Sequence, residues 1–566
     1  MVLASRLDFV VIAVYMALML LVGVLLSYYN KTDSDFFKSG NKLPWWLSGI
    51  SLFMSMFSVW TFTGAAGLAW RAPGVAVTMY LTNALVVIAF AWFLAGRWRR
   101  TRAVTIMSYL SERYGIPTNQ LYSWTHLAAC VVQAGVQLLA LGTFISVAMG
   151  TDLVATIIVS GLIITVYCFI GGLWAVVVTD TLQFIVLFAC AVVVMLIGVH
   201  EIGGIEGFVT RAPQGWWSIQ SGDYSWAYIL AYSVIMFFAF GSGAPVQRYF
   251  SVRNEREARK TALVTMVLFA FSPALFFIPP IAARLTGLDL TQVAIGLNAP
   301  EESAYVGFCL KYLPHGALGI MLSAMLAATM SSLSSVFNAY AGVITEDLIR
   351  QVFWKKASGR KLLLLGRAMT AVFGLLIIAS AVVQSRTSHG VFELMMAFSG
   401  VVLVPAGVPV VFGLFYRRTP RWAAIASYST GLALGLLYLK FGTKPTFTQQ
   451  VFVIGGISTL IYFLPGLFLR PKGAYREQLD RFFAKLATPI APEEVGEYRQ
   501  TDLGSYRITG WITLIMGGLG MCLAAGGVSA RDSLVNLGVG GLIFMIGAVM
   551  LAGSWIARRL RAARDA

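Results

Sequence analysis

Residues 51–64 read Ser51-Leu52-Phe53-Met54-Ser55-Met56-Phe57-Ser58-Val59-Trp60-Thr61-Phe62-Thr63-Gly64. Hydroxyl side chains run through the middle of an apolar stretch long enough to be a helix in lipid. A second apolar stretch carries Gly241-Ser242-Gly243-Ala244-Pro245 deep inside it. Proline removes an amide donor and clashes with the preceding turn, and flanking glycines ease unwinding. Irregular backbone at membrane depth is tolerated only where it is buried in protein or lines a watery cavity. Both stretches are therefore expected to be helices broken around an internal site. An ordinary kink and a polar helix face are the bland alternatives.

The chain around them is a membrane chain. Of 566 residues, 58% are hydrophobic and 12% charged, against about 25% charged in a soluble protein. Fifteen candidate spans begin near Phe9, Trp45, Val75, Leu121, Leu153, Trp174, Trp226, Thr261, Ala317, Leu362, Val391, Ala423, Val451, Ile508 and Leu534. The first lacks a basic leader and a small-residue cleavage site, so it is expected to be retained. The two odd spans are the second and the seventh. That offset predicts an inverted repeat of five helices plus five, with ligands at the two breaks. The expected architecture is an all-α polytopic membrane protein of about fifteen transmembrane helices. Residues 1–44 form a peripheral helix and loop, 45–200 the first repeat, and 201–419 the second. Residues 420–566 form peripheral helices joined by an amphipathic cytoplasmic connector, 471–507.

The formal net charge of +17 is distributed as a membrane protein distributes it. With the N-terminus outside and fifteen crossings, the inside segments hold 32 Lys and Arg and the outside segments nine. This positive-inside bias places the C-terminus in the cytoplasm, and the chain is expected in the inner membrane of a bacterial cell. It accounts for the basicity without a nucleic-acid partner. The five cysteines are scattered, with neither a disulfide framework nor metal-ligand spacing. No P-loop, HExxH or GxSxG is present, and the four histidines are dispersed. An enzyme is not expected.

Two features point to chemistry. Ala328-Thr329-Met330-Ser331-Ser332-Leu333-Ser334-Ser335 sets four hydroxyls within five helical positions. Ser331, Ser334 and Ser335 share a side and Ser332 lies beside them. Hydroxyls and freed carbonyls suit a hard cation such as sodium, and a serine-rich helix contact fits the same pattern. Asp180, in Val178-Thr179-Asp180-Thr181, lies inside the sixth span. A lone carboxylate there is costly unless paired or hydrated. The span boundaries put Arg248 in the inside segment 248–260 and leave no Lys or Arg within a neighbouring span, so a bound cation is the expected partner.

Further motifs occur in order along the first thirteen spans. They are Phe36-Phe37-Lys38-Ser39-Gly40 with Leu43-Pro44-Trp45-Trp46, then Ser51-Leu52, then Gly171-Gly172-Leu173-Trp174-Ala175-Val176 leading to Thr179-Asp180 and Gln183. Gln247-Arg248-Tyr249, Glu257-Ala258-Arg259-Lys260, the Ser331–Ser335 run with Asn338 and Asp347, and Gly413-Leu414-Phe415-Tyr416-Arg417-Arg418-Thr419 follow. In this order and spacing the chain resembles the sodium/solute symporter family, which has the leucine-transporter fold. The resemblance implies a shared sodium site at the carbonyls of Met54, Phe57 and Ala328 and the hydroxyls of Ser331 and Ser332. It also implies a second sodium site, present in some members, at Asp180, Ser334 and Ser335.

The implied function is sodium-coupled import of a small organic solute by alternating access. A transporter-like sensor or channel is one alternative, and a sugar symporter with a non-standard pocket is another. Sugar carriers of the family use acids and amides at positions that align here with Trp60, Thr61, Leu81 and Met396, so the acids are missing. Trp60, Thr61, Thr82, Gln133, Gln137, Ser242, Met396 and Ser399 are the candidate pocket residues. None is charged, which suits a neutral or zwitterionic solute.

Overall fold

The computed structural model describes residues 4–27, 43–170, 173–222, 224–243, 245–291, 299–345, 349, 359–387, 389–441, 446–495, 501–527 and 529–565. Of the sequence features, Phe36–Gly40, Gly171-Gly172, Ala244 and Asp347 lie outside those residues. The helices of the first half are α1 (Arg6–Ser27), α2 (Trp45–Met56), α3 (Gly64–Arg71), α4 (Pro73–Ala89), α5 (Ala95–Arg100), α6 (Ile106–Tyr114), α7 (Ile116–Met149), α8 (Leu153–Ile170), α9 (Leu173–Glu201) and α10 (Ile205–Thr210). The second half has α11 (Trp226–Ser242), α12 (Val246–Ser251), α13 (Glu255–Leu285), α14 (Ala304–Tyr312), α15 (Ala317–Gly342), α16 (Gly359–Gln384) and α17 (Val391–Phe412). The tail has α18 (Arg421–Phe441), α19 (Phe447–Phe463), α20 (Pro465–Phe468), α21 (Gly473–Ala487), α22 (Thr501–Cys522) and α23 (Ala530–Asp565). Among the described residues, extended pairing is limited to isolated bridges.

A helix occupies each of the fifteen apolar stretches. Among the described residues, ten helices are long and apolar enough to cross a membrane, or eleven with the bent pair Trp45–Met56 and Val59–Arg71 as one span. Two further apolar helices of 10–17 residues, Leu153–Phe169 and Ala368–Gln384, lie among the described residues.

Polarity is arranged inside out. Leu85, Trp92, Phe93 and Phe271 are 65–67% exposed, while Arg113, Asp180, Arg248, Ser331 and Ser335 are fully buried. Lipid is as apolar as leucine, so outward apolar faces cost nothing there, and polar groups gain by meeting one another inside.

Both predicted breaks are present. The chain leaves α2 at Phe57 (φ −108°, ψ 132°) and Ser58 (φ −146°, ψ 174°), makes one tight turn over Val59–Thr61, and resumes in α3. The two limbs meet at a 60° bend. The Val59 amide freed by the break donates to Thr329 Oγ1 of α15 at 3.3 Å, so a neighbouring helix replaces the lost intrahelical acceptor. The second break leaves α11 at Gly243 (φ −106°, ψ −167°) and restarts in α12 after Pro245. The short α12 is tied to the entry of α2 by the Leu43 amide, which donates to Ser251 O at 3.2 Å. Helix α15 packs against α9, α1, α7 and α2 and stands at the centre of the bundle.

On the side rich in Lys and Arg, amphipathic α21 buries Leu479, Phe482 and Leu486. Its rim is pinned by Lys485–Glu112 (2.8 Å) and Arg417–Asp480 (2.9 Å). Buried Arg113 donates to Gly413 O, Tyr416 O and the Tyr475 hydroxyl, joining α6, the end of α17 and α21.

The tail helices α22 and α23 pack backbone to backbone. A Cβ at Gly517 would sit 2.2 Å from Phe544 N, and one at Gly540 would sit 2.3 Å from Met521 N, whereas Gly518 faces open space. Gly517→Val and Gly540→Val are each expected to cost about 1–3 kcal/mol through overpacking. A thermal-unfolding scan checks this, with Gly518→Val leaving the midpoint unchanged.

Candidate functional site: the cavity at the broken helices

A cavity of about 130 Å³ lies where the break after α2 faces α4, α7, α11 and α17. Trp60, Thr61, Gln133, Gln137, Met396 and Ser399 all line it. Thr82 and Ser242 do not. The Thr82 hydroxyl donates to Met79 O and the Ser242 hydroxyl to Phe238 O, both at 2.6 Å within their own helices. Leu81 is 41% exposed and faces away from the protein, so it does not stand where a solute-gripping acid would. The cavity face of α4 is Tyr80 and Asn83, which the sequence reading missed. Asn83, an amide in the middle of an apolar run, was the signal available for that face. The Tyr80 hydroxyl donates to Thr61 Oγ1 at 2.8 Å, and Asn83 Nδ2 donates to the Tyr232 hydroxyl at 3.1 Å.

Asp, Glu, Lys and Arg are absent from the described lining. Trp60 Nε1, Asn83 Oδ1 and His126 Nδ1 are buried and have no partner among the described residues. An unpaired buried donor or acceptor is costly.

The serine run of α15 distributes its hydroxyls between two neighbourhoods. Ser332 Oγ donates to Gln137 Oε1 in the cavity at 3.1 Å and to Thr329 O at 3.0 Å. Ser331 Oγ donates to Asp180 Oδ1 at 2.6 Å, and Ser335 Oγ accepts from Arg248 Nη2 at 2.8 Å. Ser334 Oγ is turned to Ser331 O of its own helix. Of the carbonyls implied for the shared site, Met54 O accepts the Phe57 amide at 3.2 Å, at the end of α2.

Asp180 is not alone. Arg248 Nη2 lies 3.5 Å from Asp180 Oδ2, and both side chains are fully buried. Ser51 bridges them, donating to Asp180 Oδ2 at 2.5 Å and accepting from Arg248 Nε at 2.8 Å. The expectation that no basic residue stands near Asp180 is therefore wrong. Arg248 was assigned to the inside segment 248–260. The chain restarts as a helix directly after Pro245, and this keeps Gln247-Arg248-Tyr249 within the bundle against α2.

The family model described as Sodium:solute symporter family matches residues 36–431, which contain both broken helices, Asp180, Arg248 and the serine run. The chain belongs to the sodium:solute symporter family. It is a multi-pass membrane transporter that couples a small solute to sodium, and not an enzyme. It is 27% identical over 477 residues to Solute carrier family 5 member 4 of Rattus norvegicus, covering 76% of this chain and 70% of that one. It is 26% identical to Sodium/glucose cotransporter 1 of Ovis aries, with 77% and 72% covered. It is 24% identical to the sodium/sialic acid symporter NanT of Aliivibrio fischeri, with 82% and 93% covered. The solved substrate-bound, outward-open structure of a Na+-coupled sialic acid symporter superposes with a TM-score of 0.72 at 21% identity, covering 83% of this chain and 99% of that one. The fold is leucine-transporter-like.

One wall of the symporter's cavity holds Trp60, whose indole stacks on Phe392 with ring centroids 5.8 Å apart. Phe392 sits in the first turn of α17, and buried Glu302 caps that turn. Its two carboxylate oxygens accept the amides of Val391 and Phe392 at 3.1 and 2.9 Å. Burial raises the Glu302 carboxyl to about 7, and the two amide bonds oppose the rise. Neighbouring Glu301 raises it further and Arg71 lowers it. The folded chain thus holds this proton more tightly than the unfolded chain does. The associated stability is complete below the ordinary value of 4.5 and is lost as pH rises through about 7. Thermal midpoints of the symporter across that window should fall with rising pH, and Glu302→Gln should flatten the slope.

The Asp180–Arg248 pair yields a second prediction. Removing one partner of a buried pair costs about 3–5 kcal/mol, because the other charge is left uncompensated. Arg248→Gln and Asp180→Asn are each expected to lower the thermal midpoint strongly. The double variant should lose much less than the sum of the two, which a double-mutant cycle measures.

Proposed function

We propose that this symporter imports a neutral or zwitterionic organic solute, bound in the cavity at the broken helices. The observation that carries this reading is a lining rich in aromatic rings and amides with no charged side chain among its described residues. An anionic solute would want an Arg or Lys there. Glucose, named for one relative, is neutral, whereas sialic acid, named for another, is an anion. The sugar reading therefore stays open, with Tyr80, Asn83 and Gln133 in place of acids.

Sodium is proposed to bind at the carbonyls of Met54, Phe57 and Ala328 with the hydroxyls of Ser331 and Ser332. Each sodium ion entering down a potential of about 100 mV supplies about 2.3 kcal/mol. A second sodium at Asp180, Ser334 and Ser335 completes the two-ion reading, with the ion taking Arg248's place beside Asp180. The buried Asp180–Arg248 contact favours a one-ion reading, in which the guanidinium is the tethered cation of that site. The proposed core comprises residues 45–200 and 201–419 as inverted repeats. The proposed location is a bacterial inner membrane, and the 32-to-9 distribution of basic residues supports the N-terminus outside.

Purified symporter screened by thermal shift against D-glucose, myo-inositol, L-proline and N-acetylneuraminate, with and without sodium, tests the solute class. A neutral or zwitterionic compound should stabilise it in sodium. Stabilisation by N-acetylneuraminate alone would overturn the reading. Ser331→Ala and Ser332→Ala should each raise the sodium concentration for half-maximal uptake by about tenfold, equivalent to about 1.4 kcal/mol. Unchanged sodium dependence in the double variant would remove the shared site. The ratio of charge to neutral solute in voltage-clamped uptake should be two in the two-ion reading and one in the tethered-arginine reading.

A further inference from the structure

Ser332 and Gln137 place the proposed ion site and the solute cavity one hydrogen bond apart. Gln137, on α7, lines the cavity and accepts from Ser332 Oγ through Oε1 at 3.1 Å. Its Nε2 has no hydrogen bond to a described residue in the structure. Ser332 has a single hydroxyl proton, held between Gln137 Oε1 and the carbonyl of Thr329 one turn back. A hydroxyl oxygen offers two lone pairs and one proton, so a cation on the lone pairs leaves the proton free to be donated and polarises it.

We propose that Gln137 is the residue through which sodium prepares the solute cavity: the ion on Ser332 Oγ commits that hydroxyl's hydrogen bond to Gln137 Oε1 and fixes the amide with Nε2 turned to the solute. The proposal rests on the shared sodium site containing Ser332. A hydrogen bond whose donor is polarised by a charge is roughly twice as strong as a neutral one. The Ser332–Gln137 bond is therefore tight when the ion is present and slack when it is gone. Without the ion, the proton is divided between two acceptors and the amide is free to turn. With it, the lost rotamer freedom of Gln137 has been spent before the solute arrives. Coupling of this kind is reciprocal, so Gln137 must also strengthen sodium binding in the absence of any solute. Gln137 is a positioning residue for the ion and a contact residue for the solute. Gln133, one turn away in the same cavity, lacks the bond to Ser332 and serves as the control.

The test uses sodium alone. Full-length purified symporter is titrated with sodium chloride at ionic strength held constant with choline chloride, and binding is followed by thermal shift. Gln137→Leu should raise the half-saturating sodium concentration at least about threefold, while Gln133→Leu should leave it within about twofold. Gln137→Glu, a stronger acceptor, should lower it, and Gln133→Glu, which adds the same charge to the same cavity, should do so less. In a double-mutant cycle, Gln137→Leu should add nothing once Ser332→Ala has removed the shared proton. A merely structural role for Gln137 would instead lower the sodium-free thermal midpoint and add to Ser332→Ala. Sodium affinity unchanged in Gln137→Leu but weakened in Ser332→Ala would overturn the coupling and keep the site. Sodium affinity unchanged in Ser332→Ala would overturn both.

Discussion

The buried contact between Asp180 and Arg248 gathers four helices around one pair of charges. Asp180 belongs to α9, Arg248 to α12, Ser51 to α2, and Ser331 and Ser335 to α15. Two charges taken out of water are costly apart and tolerable together only with good geometry and further hydrogen bonds. Here the serines supply those bonds. Each of the broken spans contributes one member, so the position of both breaks relative to the serine helix is tied to the same small polar cluster. A shift of any one helix would leave a charge or hydroxyl unpaired.

That cluster, the Val59–Thr329 bond and the Ser332–Gln137 bond form one continuous polar seam through an otherwise apolar bundle. On one side of the seam are the ion-pair residues, and on the other is the cavity. Three of the four neighbouring serines serve it from different sides because adjacent helical positions point about 100° apart. Ser331 and Ser335 reach the charge pair while Ser332 reaches the cavity. The division between two implied sodium sites is therefore less clean in space than in sequence. Ser331, carried over to the first site, bonds the aspartate carried over to the second.

The Trp60 end of the cavity follows the same economy. Trp60 emerges from the turn between α2 and α3, and its indole lies against Phe392. Glu302 fixes the first turn of α17 by accepting two of the amides that every helix leaves orphaned at its start. A single carboxylate thus sets where Phe392 stands over Trp60. Far from it, α21 and its ion pairs bind the tail to the basic side of the bundle.

Helical class, the two breaks, the serine run and six of the cavity's lining residues were legible along the chain, because each is a local property. Apolar length selects helices in lipid, Gly and Pro mark where they break, and hydroxyls stand out against Leu and Val. Trp60, Thr61, Gln133, Gln137, Met396 and Ser399 line the cavity. Tyr80, Asn83 and Tyr232 went unread because the face that α4 or α11 turns inward depends on its neighbours. Thr82 and Ser242, equally polar in sequence, satisfy their own helices instead. The partner of Asp180 could not be found from spacing either, since Arg248 lies 68 residues away and counts as a loop residue in any tally of basic charge. Only the packing of the short helix after Pro245 carries it inward. Sequence determined which groups could not be left in lipid, and tertiary structure decided which of them would meet, because pairing depends on distance in space and not along the chain.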